Sequence, residues 1–400
     1  MKKFSILFFA ALLVVAFTMP AAALETEFGG YWRTRFFTEQ NFSGEDRTEA
    51  RDFTWVDTRT RLYFTATLND NLKFVNKFEF DAQWGTGDTG DIGTDGNAEF
   101  EIKHSYADFN IGSVNAKLGM QGATVARGFL FDDDFAGAHV TFNGEGFTVP
   151  FLWIRVNEGS GQNWRAGTKD DNDDDQDLYV LNPSFAVGDA SVNPFFAYWT
   201  QDSIDLDVYF VGVNVDAGPI WFTGIYETGD LSKTVEVSAY VAALGVSMDL
   251  GGASVNAQVF YATGDDDPLD ADQDAYTGPP GICYYWSEIM GWGTFDWDVS
   301  NGSPAGTISN IMAANVGASV SPMDKLKLSA NLWYAQLAEE DALGNKDLGT
   351  EVDLKATYEL VEGLNLDVVA AYLFAGDSTT MEDPDDANPY ELGARLSLSF

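Results

Sequence analysis

The chain has 400 residues and a formal net charge of −40, from 22 basic and 62 acidic side chains. This excess of negative charge argues against a nucleic-acid-binding protein and against a basic protein of a membrane surface. Aromatic residues make up 14% of the chain, which argues against an acidic disordered protein.

The first 23 residues have the features of a secretory signal peptide. Lys2 and Lys3 form a basic start, residues 4–17 are an apolar run of signal-peptide length, and residues 21–23 are three alanines that offer a cleavage site. The run is too short to span a bilayer comfortably, so we expect cleavage rather than a retained anchor. The remaining residues, 24–400, contain no linker and no change of composition that would divide them into domains.

Beyond the signal peptide, polar and apolar residues alternate with a period of two in many segments, such as 57–68 and 351–359. Successive side chains of a strand point to opposite faces, so each segment has an apolar face and an ionic face. A soluble β-sandwich alternates in the same way. The segments are about ten residues long or more, as tilted membrane strands must be, and only a closed barrel can span a bilayer without apolar helices.

The connections between these segments are of two kinds, which is typical of outer-membrane barrels with short periplasmic turns and long outer loops. Eight are short and rich in turn residues: 69–71, 112–113, 143–146, 188–190, 216–219, 251–252, 321–324 and 361–363. Six are long, acidic and rich in glycine: 41–51, 85–98, 158–177, 264–301, 337–346 and 376–389. Eight periplasmic turns predict an all-β, transmembrane antiparallel barrel of 18 strands, or of 16 if one turn is misread. A barrel of that size can keep an aqueous channel.

The two ends of residues 24–400 resemble the general porins of Gram-negative bacteria. The similarity is carried by residues 29–35 (GGYWRTR), residues 57–62 (DTRTRL) and the final residues 395–400 (RLSLSF), and residues 117–121 (KLGMQ) resemble the strand that leads into the constriction loop. The resemblance implies a homotrimer in the outer membrane, in contact with lipopolysaccharide. It also implies a third loop, here residues 122–137, that folds into the pore, and a terminal Phe400 that is read by the barrel assembly machinery.

Charged residues at alternate positions are the candidates for the pore lining. Arg33, Arg35, Arg59 and Arg61 share one face of the first two strands, and each would cost roughly 2–4 kcal/mol on the lipid face. Lys77 and Glu79 alternate in the same way on the next strand. Asp132, Asp133 and Asp134 lie in the expected constriction loop, so we expect carboxylates to face arginines across water and to select ions. In the alternative interpretation, the aspartates are a solvated loop tip and the arginines pair with neighbouring wall carboxylates.

The sequence gives little support for a catalytic site, a cofactor or a metal site. His104 and His139 are the two histidines, and neither has a zinc-ligand spacing. The acidic runs 170–177 and 265–267 lack the EF-hand spacing. We therefore favour the interpretation that these runs are solvated outer loops. Asp173, Asp174 and Asp175 are weak candidates for calcium ligands. The single cysteine, Cys283, is expected to be a tolerated loop or wall residue.

The sequence therefore predicts a porin that is exported through the inner membrane and allows passive diffusion of small hydrophilic solutes, with a modest cation preference from its net negative charge. One alternative is a substrate-selective channel with a saturable site. Another is a structural or adhesive barrel whose outer loops carry the function.

Overall fold

The computed structural model describes residues 24–46, 52–85, 99–159, 175–267, 269–382 and 386–400. The expected signal peptide lies outside these residues, as do most of the predicted outer loops 85–98 and 158–177 and the end of the loop 41–51. Among the described residues, no helix is both long and apolar enough to cross a membrane.

Nearly all regular structure is β-strand, and the strands form one closed sheet. In chain order they are β1 (Glu25–Gln40), β2 (Phe53–Asn69), β3 (Leu72–Gln83), β4 (Glu99–Ile111), β5 (Val114–Val125), β6 (Phe131–Asn143), β7 (Phe147–Asn157), β8 (Gln176–Leu181), β9 (Ser184–Val187), β10 (Ala190–Gln201), β11 (Leu206–Ala217), β12 (Ile220–Ser232), β13 (Val235–Asp249), β14 (Ala253–Ala262), β15 (Asp272–Gln273), β16 (Ile311–Met323), β17 (Leu326–Gln336), β18 (Asp347–Val361), β19 (Leu364–Ala375) and β20 (Tyr390–Ser399). Neighbouring wall strands are antiparallel throughout, as predicted.

The described wall contains eighteen strands. β8 and β9 are two halves of one of them, since both pair with β7 on one side and with β10 on the other. Pro183 lies in the gap between the halves, where the missing N–H of proline interrupts the ladder. The two residues of β15 pair in parallel with β13 and belong to the connection between β14 and β16. The prediction of 18 strands, rather than 16, is confirmed.

The first and last strands close the barrel. β1 pairs with β20 from Tyr31 opposite Ser399 to Gln40 opposite Tyr390. The backbone N–H and C=O of Phe400 extend this ladder by bonding to Gly30, at 3.1 and 2.8 Å. A Cβ atom on Gly30 would lie 2.5 Å from the Phe400 ring and 2.6 Å from the backbone oxygen of Arg61, so the two close approaches together require glycine at this position.

The eight short turns lie where the sequence predicts them, within a residue or two. The largest shift is at the predicted turn 321–324, where Met323 still belongs to β16 and the turn is formed by Asp324 and Lys325. Three of the connections that alternate with these turns, 126–130, 202–205 and 233–234, are also short, and the first of them is folded into the barrel interior. Residues 126–130 lie within the predicted loop 122–137, whereas 202–205 and 233–234 were not predicted, because they are much shorter than the loops that the composition indicated.

The wall has two faces, as the alternation predicts. Along β11 the outward Val211 is exposed, whereas its neighbour Phe210 points inward and is fully buried. The same contrast holds on β13, where Leu244 is exposed and Ala243 is buried. The outward face is therefore apolar and suited to lipid. The inward face, however, is partly an apolar core rather than uniformly wet, because two segments of the chain pack inside the barrel.

Candidate functional site

The first of these segments is the half of the β5–β6 hairpin next to its tip, residues 121–135. The ladder between β4 and β5 stops at Ser105 opposite Met120, and the ladder between β6 and β7 stops at Ala136 opposite Arg155. β5 and β6 nevertheless stay paired up to Val125 opposite Phe131. This half of the hairpin therefore no longer pairs with β4 or β7, and it packs into the barrel interior.

The hairpin tip is buried against the inner wall and against a second segment. Phe129 and Leu130 at the tip are fully buried. The ring of Phe129 stacks on Tyr284, with centroids 3.9 Å apart, and lies 5.7 Å from Phe260 of β14. The sequence predicted an irregular loop at 122–137. The structure corrects this to two continuous strands around a short turn, because β5 and β6 keep their backbone ladder up to Val125 opposite Phe131.

The second segment, residues 263–310, joins β14 to β16 and is called the lumen segment below. Residues 264–301 were predicted to be a solvated loop outside the barrel, and the structure corrects this for most of the segment. Tyr276, Ile289, Met290 and Phe295 are all fully buried inside the barrel. These apolar residues form a core with the inner faces of the wall strands and with the hairpin tip.

Two wall glutamates hold the lumen segment in the same manner. Glu227 of β12 accepts the backbone N–H groups of Thr277 and Gly278, at 2.9 and 3.2 Å. Glu351 of β18 accepts those of Ile289 and Met290, at 2.8 and 2.9 Å. Both glutamates are fully buried. A carboxylate that accepts two consecutive N–H groups forms charge-assisted hydrogen bonds, so the segment is fixed at two separate places on the wall.

Tyrosines of the lumen segment add further contacts. The Tyr276 hydroxyl donates to the backbone oxygen of Phe129 at 2.9 Å, and the Tyr284 hydroxyl donates to Gln258 at 2.9 Å. Burial raises the pKa of Tyr276 well above its usual value and raises the pKa of Tyr284 to about 12. Both hydroxyls therefore remain protonated donors at any physiological pH.

The four predicted arginines lie together on the inner face of β1 and β2. Arg33 is directly opposite Arg59 in the register, and Arg61 is opposite Tyr31. Arg33 and Arg35 are buried, whereas the side chains of Arg59 and Arg61 retain 21% and 25% exposure. The row is therefore half covered and half accessible to solutes in the lumen.

Three of these arginines pair with carboxylates of neighbouring wall strands, as in the alternative interpretation, and within the described part of the chain none contacts Asp132–Asp134 directly. Arg35 binds Asp57 of β2 and Asp296 of the lumen segment. Arg33 lies 3.6 Å from Asp296. The structure thus brings Asp296 of the lumen segment into direct contact with the arginine row, whereas Asp134 is connected to it only through Lys103 and Glu79.

Lys77, Glu79 and Asp134 belong to a polar network on β2–β4. The buried Glu79 carboxylate contacts Arg61, Arg59 at 3.3 Å and Lys103 at 4.0 Å. Asp134 binds Lys103 at 2.8 Å and His104 at 2.9 Å, which ties the base of the inward hairpin to β4. The Lys77 ammonium lies 5.5 Å from the ring of Tyr63.

The other two aspartates of the predicted cluster have separate surroundings. Asp132 accepts a hydrogen bond from Thr124 at 2.7 Å, and Asp133 is exposed. The three aspartates of 132–134 therefore have different side-chain partners.

A cluster of buried carboxylates was not predicted. Glu39 and Glu391 face each other across β1 and β20, and Glu351 and Asp353 lie two strands further along the wall. The residue between Glu391 and Asp353 is Ala371, whose small side chain leaves room for the longer ones. The alternation indicated that these residues point inward, but it contained no signal for their burial under the lumen segment.

The calcium candidates are only partly described. Asp173 and Asp174 lie outside the described residues, and Asp175 forms an ion pair with Arg155 at the end of β7. Among the residues that the structure describes, no group of three or more acidic, histidine or cysteine side chains has the arrangement of a metal site.

Comparisons with known proteins find similarity in the fold. No family model and no curated protein matches the sequence. Solved structures match over most of their length. One is Acinetobacter baumannii OccAB4, with a TM-score of 0.62, 10% identity and coverage of 96% of this chain and 100% of the other. A BenF-like porin from Pseudomonas fluorescens has a TM-score of 0.61, 11% identity and coverage of 94% and 98%. Pseudomonas aeruginosa OpdK, solved with vanillate, has a TM-score of 0.57, 12% identity and coverage of 94% and 99%.

The barrel therefore has the fold of outer-membrane porins. The similar structures belong to the Occ/OprD group of 18-strand barrels, and they do not specifically support the general trimeric porins that the ends of the sequence resemble. At 10–12% identity, the likeness concerns the fold and says nothing about individual site residues.

Proposed function

We propose that the protein is an outer-membrane channel for small hydrophilic solutes, and that it is narrow and substrate-selective rather than a wide diffusion pore. The observation that carries this proposal is the lumen segment, which is fixed across the interior by Glu227 and Glu351. Together with the inward β5–β6 hairpin, it replaces part of the water-filled interior by packed apolar side chains. A barrel of eighteen strands whose interior was not filled in this way would keep a wider aqueous channel.

One accessible polar surface lies on β2–β4. Arg59, Arg61 and Lys103 are partly exposed there beside carboxylates. On the lumen segment, Trp297 follows Asp296 directly and is 44% exposed, with its ring 4.1 Å from Trp55. Guanidinium groups bind carboxylates and aromatic rings stack on other rings, so these side chains suit a small solute that has a carboxylate and a ring. The structure of OpdK with vanillate makes vanillate a reasonable first probe.

The test is transport by the purified chain in planar bilayers and liposomes. We expect a low single-channel conductance, slow liposome swelling in larger sugars, and vanillate flux that saturates with concentration. A large conductance with unsaturable flux limited only by solute size would favour the general diffusion porin. A complete lack of conductance would favour a structural or adhesive barrel.

Ion preference is a separate part of the proposal. The net charge of −40 supports a modest preference for cations, which a reversal potential in a KCl gradient measures. Since much of this charge lies in loops, we expect the preference to weaken at high salt. A clear chloride preference would contradict it.

The location and assembly of the protein in the cell are a further part of the proposal, based on the signal-peptide features of residues 1–23 and on the porin fold. We infer that the chain is exported, cleaved after residue 23, and inserted as a homotrimer among lipopolysaccharide molecules. N-terminal sequencing of the mature protein from isolated outer membranes tests the export and cleavage. The mass of the unheated protein in mild detergent tests the trimer, and a monomer would contradict it.

A further inference from the structure

The tip of the β5–β6 hairpin has an unusual backbone. Ala126, Arg127 and Gly128 follow one another with φ angles of 53°, 58° and 92°. Residues with a side chain rarely adopt this left-handed region, and they do so mostly where surrounding structure forces them. Two such residues in succession, followed by glycine, therefore indicate a tip that is held in place.

The lumen segment supplies the restraint. Tyr276 donates to the backbone oxygen of Phe129, and the Cys283 N–H donates to that of Gly128 at 3.2 Å. The approach is so close that a Cβ on Gly128 would lie 2.2 Å from the Cys283 oxygen. Contacts with the lumen segment thus hold the tip in this conformation.

The consequence is that Arg127 extends to the inner wall at β11 and β12. Its guanidinium forms an ion pair with Asp216 and lies 4.7 Å from the ring centroid of Trp221. Asp216 and Trp221 are directly opposite each other in the register. Asp216 shares its face of β11 with the buried Asn214, so the pair lies inside the barrel, close to the short turn that follows Ala217.

This ion pair is accessible to water. The side chains of Arg127 and Asp216 retain 29% and 53% exposure. An ion pair in water holds weakly and exchanges partners readily. The stack on Trp221 would keep the guanidinium in position when Asp216 turns toward another cation.

We propose that Arg127 and Asp216 form a charge filter of the channel near its short-turn end, where Arg127 admits anionic groups and Asp216 admits cationic groups of passing solutes. This inference rests on the proposed channel function and assigns specificity within it to two residues outside the arginine row. The strained tip serves to aim Arg127 across the interior.

The test compares ion selectivity in three variants of the full chain: Arg127→Gln, Asp216→Asn and the double variant. The matched control is Arg155→Gln. Arg155 also pairs with exposed carboxylates and lies 5.7 Å from a tryptophan ring, Trp153, but it faces outward, since its neighbour Ile154 is buried inside.

We expect Arg127→Gln to raise the potassium-to-chloride permeability ratio on the order of fivefold, and Asp216→Asn to lower it by a similar factor. The double variant should return close to the unmodified protein, and Arg155→Gln should not differ from it. Normal conductance with no shift beyond that of Arg155→Gln would overturn the filter and leave the channel function intact. A protein without any conductance would overturn the proposed function and the filter with it. Asp216 is exposed near the end of a strand, so Asp216→Asn should fold. Its shift in permeability ratio therefore tests the filter even if Arg127→Gln fails to fold.

Discussion

Arg35 of the first strand is joined to Asp296 of the lumen segment, 261 residues further along the chain. The same guanidinium donates to Asp57 of the neighbouring strand at 3.0 Å. Because Arg35 is buried, it needs both carboxylates to compensate the loss of water. The lumen segment therefore completes the charge balance of the wall, and the wall in turn holds the segment near the arginine row.

Removing the charge of Asp296 should expose this relationship. In Asp296→Asn, Arg33 and Arg35 lose an anionic partner, so the site becomes more positive and we expect the permeability ratio to shift toward anions. The control is Asp266→Asn, which removes an equal charge at an exposed position of the same connection. An equal shift in the two variants, measured as reversal potentials, would show that only the total charge matters.

The two glutamates that fix the lumen segment should control the width of the channel. Replacing a buried, charge-assisted acceptor typically costs about 1.5–3 kcal/mol, so Glu227→Gln or Glu351→Gln should loosen the segment. We expect a larger and noisier single-channel conductance and faster protease cleavage within residues 269–300. Glu362→Gln, in an exposed short turn, serves as the control. Unchanged conductance and cleavage in both buried variants would mean that apolar packing alone holds the segment.

Most of the wall could be predicted from the sequence, because its signals are local. Residues two apart in the sequence lie on the same face of a strand. A few turn residues mark each connection, as at Gly112-Ser113 between β4 and β5. The inward position of Arg33 and Arg59 followed from the same alternation and is what the register shows. Local patterns were sufficient there because each strand contacts mainly its neighbours in the chain.

The interior could not be predicted in the same way, because its contacts are distant in sequence. Glu227 binds amides 50 and 51 residues away, and no spacing rule connects them. The acidic, glycine-rich composition of 264–301 resembled an outer loop, although its buried residues Tyr276, Ile289 and Phe295 were a visible apolar signal. Asp134 was identified as a functional candidate, but its partners Lys103 and His104 were not, since Lys103 lies at an irregularity of β4 that disturbs the alternation.

A glycine substitution can test whether the hairpin tip is as constrained as its geometry indicates. Gly128→Ala introduces both a left-handed alanine and a clash with the Cys283 oxygen, whereas Gly218→Ala places an alanine at φ 60° with open space around it. The left-handed conformation costs roughly 1–2 kcal/mol for a residue other than glycine. We expect Gly218→Ala to lower the unfolding temperature slightly and Gly128→Ala to lower it considerably more. Equal effects in heat-dependent gel mobility would show that the tip can move away from the lumen segment.

The buried tyrosines predict a specific response to alkaline pH. Because burial raises the pKa of Tyr284 to about 12, its neutral form is favoured in the folded barrel. The contribution of Tyr284 to the free energy of unfolding is therefore fully present below about pH 10, the usual pKa of tyrosine in an unfolded chain. It is lost as the pH rises through about 12. Tyrosinate absorbance should show exposed tyrosines titrating first, and Tyr284→Phe should remove part of the late phase. Loss of amplitude from the early phase instead would contradict the assigned burial.

The terminal Phe400 has two separable roles, and one substitution can distinguish them. Its backbone extends the ladder with Gly30, while its ring covers that glycine. Phe400→Ala keeps the backbone ladder and removes the ring. If the ring serves recognition by the assembly machinery, the variant should fold normally from urea into lipid vesicles but accumulate unfolded in cells. Poor folding in both settings would instead show that the ring seals the closure between the first and last strands. Phe374→Ala, which removes an equally exposed outward ring from β19, is the control for the loss of lipid contact.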